Sequence, residues 1–110
     1  MAFSPDGSYL AYGRQDGSID LWEIAEETVV LTLEGHTDLV VDLTFSPDGA
    51  LLASSSWDGT VRLWAVRDGR PLTTLTEHVN IVSHVAFSPD GLLLASSSAD
   101  GSVIIWGVGS

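Results

Sequence analysis

The 110-residue chain contains no cysteine, no lysine and no long apolar run. Without cysteine there is no disulfide framework, no thiolate nucleophile and no cysteine-based zinc site, while the redox compartment stays open. Positive charge is scarce: Arg14, Arg62, Arg67 and Arg70 stand against 15 carboxylates, for a formal net charge of −11. Phosphate backbones and anionic membrane surfaces are held by clustered Lys and Arg, so this balance argues against nucleic acid and against a membrane as partners. No apolar run approaches bilayer length and no charged leader precedes an apolar stretch, which reads as a cytoplasmic chain. Hydrophobic residues still make up 45% and charged residues 17%, a globular composition. Part of the acidity has a local role. Asp6, Asp16, Asp48, Asp58, Asp90 and Asp100 each precede a glycine, where an Asx side chain stabilises a tight turn.

Self-comparison reveals an internal repeat. Phe-Ser-Pro-Asp-Gly occurs at Phe3–Gly7, Phe45–Gly49 and Phe87–Gly91, a spacing of 42 residues that Trp22, Trp64 and Trp106 also keep. A fixed period near 40 without insertions marks a repeat architecture. The second and third copies resemble each other more than either resembles the first.

Within one period the chain reads as short strands between turn signals. The pattern predicts strands over Leu39–Phe45, Leu51–Ser56, Thr60–Ala65 and Pro71–Thr76. The Ser46–Gly49 turn, the Asp58-Gly59 hairpin signal and the Arg67–Gly69 turn separate them. The leading Pro71 suits a sheet edge, because proline donates no ladder hydrogen bond. Such a small twisted sheet has two apolar faces and must stack on copies of itself.

These residues closely resemble the WD-repeat β-propeller family. Gly35-His36, Phe45–Gly49, Leu52–Gly59 and Thr60–Trp64 carry the resemblance, and the same spacing extends over the whole chain. The Phe-Ser-Pro-Asp-Gly phrasing is similar to the bacterial style of the repeat. The implied fold is all-β, with antiparallel four-stranded blades closed only by oligomerisation. The implied blades are about residues 1–34, about 35–76, and about 77–110 lacking its outer strand. The resemblance further implies hydrogen-bonded tetrads of His36, Ser54, Asp58 and Trp64 in one blade and of His78, Ser96, Asp100 and Trp106 in the next. The first copy breaks this set, because Tyr12 replaces the serine, and its blade is expected to be the least stable.

Serine, histidine and aspartate recurring together invite a hydrolase reading. A catalytic triad needs one exposed nucleophile with an oxyanion hole, whereas these sets recur once per blade and no strand–turn–helix elbow is visible. The chain therefore reads as non-enzymatic. His36 and His78 fall in equivalent places on different blades, so a shared metal site with His84 is not expected. The Asp-Gly turns lack a calcium loop's ligand density, and no phosphate-binding glycine loop occurs. No cofactor is expected.

Trp57 is more informative. Its counterparts are Gln15 and Ala99, so repeat packing does not demand an aromatic there. By the resemblance it lies on the top face with Leu39, Val41, Ile81 and Ser83. An exposed Trp beside Leu and Ile has the composition of a protein- or peptide-binding hot spot, and inter-blade packing is the competing reading.

Family propellers have about four to eight blades, more than this length supplies. Three readings stay open: a piece of a longer gene, a cut or designed fragment ending in Gly109-Ser110, or copies closing a ring head to tail. The last makes the chain its own partner, as a dimer or trimer. The function expected is a protein-interaction scaffold, with self-assembly of a structural fragment as the alternative.

Overall fold

The computed structural model describes residues 1–76 and 80–108. The described residues form three antiparallel sheets and no helix. The first sheet runs β1 (Ala2–Phe3), β2 (Tyr9–Gly13), β3 (Ile19–Glu23) and β4 (Thr28–Leu33). β5 (Val40–Phe45), β6 (Leu51–Ser56), β7 (Val61–Ala65) and β8 (Pro71–Leu75) make the second. The third consists of β9 (Val82–Phe87), β10 (Leu93–Ser98) and β11 (Val103–Gly107). Strands pair in chain order within every sheet. In the second repeat each strand lies within a residue of its sequence-based bounds, and Pro71 stands on the outer edge strand.

The turns explain this regularity. Ser46 Oγ donates to Asp48 Oδ1 at 2.5 Å, and that oxygen also accepts the Ala50 amide while the Leu51 amide donates to Ser46 Oγ. The same pattern recurs at Ser4, Asp6, Ser8 and Tyr9, and again at Ser88, Asp90, Leu92 and Leu93. One five-residue phrase thus writes one turn three times. The β3–β4 turn departs from the pattern: Glu27 adopts φ 52° where the second repeat places Gly69 at φ 73°. A side chain in the left-handed region costs about 1–2 kcal/mol, partly offset by glycine's greater freedom when unfolded. Glu27→Gly is expected to stabilise the chain by about 0.5–1 kcal/mol, measured as a higher urea midpoint.

Stacked sheets bury the core at two junctions. At the first, Ala11, Ile19, Leu21 and Leu33 pack against Val40, Leu43, Phe45, Leu52 and Trp64. At the second, Ala53, Val61 and Leu63 pack against Val82, Val85 and Leu94, with Phe87 and Trp106 alongside. The second junction repeats the first 42 residues later. Polar links also cross between sheets: the Val40 amide reaches the Arg14 carbonyl, and the Val85 amide donates to Asp42 Oδ2 at 3.0 Å. The stack is open, and its first and last sheets each leave one face uncovered.

Candidate functional site: a buried polar tetrad beneath exposed loops

In the second sheet His36 sits just before β5, Ser54 on β6, Asp58 in the β6–β7 turn and Trp64 on β7. Their side chains form a directed chain. Trp64 Nε1–H donates to Ser54 Oγ at 2.9 Å, and Ser54 Oγ lies 2.7 Å from His36 Nε2. His36 Nδ1 is 3.0 Å from Asp58 Oδ2 and 3.1 Å from Thr60 Oγ1. A consistent network follows if the serine hydroxyl donates to Nε2 and the proton on Nδ1 faces Asp58. Trp64 also meets the His36 ring edge-on, with centroids 6.5 Å apart. Both imidazole nitrogens and the serine hydroxyl are thereby consumed inside the sheet, which leaves no exposed nucleophile and no free metal ligand in this set. Among the described residues no cluster of three or more His, Cys, Asp or Glu could hold a metal.

Burial and neighbours set the charges. Desolvation pushes the His36 imidazole below its ordinary value; Asp58 opposes this and the Arg62 charge adds to it. For Asp58, partial burial pushes the carboxyl up, but hydrogen bonds from the Thr60 hydroxyl, the Thr37 and Thr60 amides and His36 outweigh it and bring it down to about 2. In both cases the unfolded chain binds protons more readily than the folded one, so both groups withdraw stability as pH falls. Loss is expected to begin below about pH 6.5 through His36 and to resume between about pH 4 and pH 2 through Asp58. Urea midpoints across that range check the direction; a midpoint that rises on acidification contradicts it.

The third sheet repeats part of the arrangement. Trp106 Nε1–H donates to Ser96 Oγ at 2.9 Å, and Asp100 Oδ1 accepts from the Ser102 amide and hydroxyl. His78 lies outside the described residues. The first sheet carries a network that the repeat pattern did not announce. Arg14 donates to Asp20 Oδ2 through Nε, at 2.8 Å, and through Nη2, while Thr32 Oγ1 donates to Asp20 Oδ1 at 3.0 Å. Tyr12, at the serine's register, is exposed. The available signal was Arg14 and Asp20 flanking a two-strand turn, since their counterparts Ser56 and Arg62 carry no such complementary pair.

Above the tetrad lie the loops that hold the candidate binding residues. The Trp57 amide donates to the Leu39 carbonyl at 3.0 Å, and Ala99 repeats this bond to Ile81 at 2.9 Å. Trp57 is 50% exposed, whereas Leu39 and Ile81 are half-buried. The β5–β6 register skips from Val40 to Asp42, making Val41 a bulged residue; β9 skips likewise between Val82 and His84, at Ser83. A bulge re-aims its extra residue, and Val41 is exposed. Ser83 Oγ instead donates to the Ser97 carbonyl at 3.3 Å. The structure therefore brings Leu39 to Trp57 and Ile81 to Ala99 in matching loops.

Stacked antiparallel sheets of three to four strands, the second of them tied internally by a Trp–Ser–His–Asp chain, define a β-propeller blade type. The WD domain, G-beta repeat, matches residues 1–23, 27–65 and 69–107. The chain belongs to the WD-repeat family, whose members are generally non-catalytic scaffolds for protein–protein interaction. A probable serine/threonine-protein kinase PkwA of Thermomonospora curvata is 52% identical over 40 residues, covering 36% of this chain and 5% of that protein. The general transcriptional corepressor TUP1 of Saccharomyces cerevisiae is 40% identical over 43 residues, covering 39% of this chain and 6% of that protein. The chain thus corresponds to a small part of each relative. Among the described residues no helix is long and apolar enough to cross a membrane.

Proposed function

We propose that the chain is a non-catalytic WD-repeat propeller segment that presents a protein- or peptide-binding surface, with Trp57, Leu39, Val41 and Ile81 as its anchors and Ser83 on the same face. A cytoplasmic setting is part of this reading. The observation that carries it is the half-exposed Trp57 indole on a turn fixed by backbone hydrogen bonds. A rigid aromatic so placed is the side chain that interface hot spots favour. The tetrad beneath acts as a brace, holding the turn through Asp58 and Thr60.

The test is selection of a displayed random-peptide library on the full chain, followed by Trp57→Ala. Selected peptides are expected to lose about 30-fold in affinity, the equivalent of a ~2 kcal/mol hot spot, with the unfolding midpoint unchanged. Selection that yields no Trp57-dependent peptide contradicts the reading, and a large fall in the midpoint would show that Trp57 packs the fold.

A second reading, self-assembly into a closed ring of two or three chains, is favoured by the uncovered apolar face at each end of the stack. Light scattering over a tenfold concentration range measures it: a single multiple of the chain mass, insensitive to dilution, supports closure.

A further inference from the structure

The two uncovered faces are not alike, and their difference is informative. On the first sheet, Phe3, Leu10 and Trp22 occupy the registers of Phe45, Leu52 and Trp64. Trp22 is 38% exposed while Trp64 is 1% exposed. On the third sheet, Ala95, Val103 and Ile105 occupy the registers of Ala53, Val61 and Leu63. Val103 is 65% exposed while Val61 is fully buried. One face is thus bulky and aromatic, the other small and branched. Inside the chain these same two kinds of face meet twice: Ala11, Ile19 and Leu21 receive Phe45, Leu52 and Trp64 at the first junction. At the second, Ala53, Val61 and Leu63 receive Leu94, Phe87 and Trp106.

Resting on the self-assembly reading, we infer that a second copy docks its Phe3–Leu10–Trp22 face onto the Ala95–Val103–Ile105 face, as a third instance of the junction the chain already makes twice. The contact is head to tail. Two bulky faces cannot interdigitate as a bulky and a small one do, so neither face pairs with its own kind. Every copy then carries one donor face and one acceptor face, and association continues until a ring closes.

This polarity has a direct test with the full chain. Trp22→Glu disables one face and Ile105→Glu the other, and both side chains lie on the surface. Each variant alone is expected to stay a single chain by light scattering, at concentrations where the parent chain associates. Mixed, the two are expected to form a complex of two chains that grows no further, because its outer faces are both disabled. Circular dichroism matching the parent and a cooperative unfolding transition establish that each variant folds; Phe3→Glu and Val103→Glu replace any that does not. Association of either variant by itself overturns the assigned faces while leaving self-assembly standing. Folded variants that fail to combine also overturn them. A parent chain that remains single at every concentration overturns both the faces and the self-assembly reading, leaving these faces to another occupant.

Discussion

Trp64→Ala is expected to unfold the chain or bring it close to unfolding. Large aromatic truncations in a core cost about 3–5 kcal/mol, combining lost transfer energy with the cavity left behind. That is comparable to the whole stability of a small domain. Trp64 is fully buried between the first and second sheets, against Leu21 and Leu52. It also donates to Ser54 Oγ, so its removal deprives the tetrad of a hydrogen bond. Trp22→Ala, the same change at the same register of the first sheet, should cost less than about 1.5 kcal/mol, since surface changes are mild. Urea unfolding of the two variants checks the contrast. Equal losses would mean that the first junction contributes little beyond strand pairing.

Gly17→Ala is expected to be the second most damaging change. Gly17 has φ 95°, and a Cβ built there would stand 2.2 Å from the His36 carbonyl oxygen. Neither atom is the end of a flexible side chain, so backbone must move. The left-handed penalty of about 1–2 kcal/mol is then joined by the displacement of the loop that carries His36. A total of about 3 kcal/mol or more is the expected loss. Gly7→Ala isolates the difference, since φ is 76° there and no atom lies within 4 Å of the added Cβ. It should show the conformational penalty alone. Thermal unfolding of both variants measures the separation, and equal midpoints would remove the steric argument.

Turn chemistry made most of the fold legible. Ser, Pro, Asp and Gly in fixed order satisfy one another within a few residues, so the Ser46–Gly49 turn needs nothing from the rest of the chain. Pro71 at an edge follows from local chemistry in the same way. The Arg14–Asp20–Thr32 network was hidden because Thr32 lies on a different strand, 12 residues beyond the aspartate it completes. Val41's outward aim follows from the family resemblance and not from alternation, for a bulge is set by pairing with β6 and leaves no mark on the apolar pattern. Trp22 and Trp64 are identical letters at one register; only the stacking of sheets distinguishes the surface residue from the core residue.

The Asp42 carboxylate has a mechanical consequence. The hydrophobic attraction between stacked sheets is itself without direction, and interdigitated side chains fix the register only as closely as their shapes fit. A hydrogen bond has a direction and a short reach. By gripping the Val85 amide across the gap, Asp42 works as a detent: it leaves the adhesion between the second and third sheets to the hydrocarbon and fixes the notch in which they come to rest.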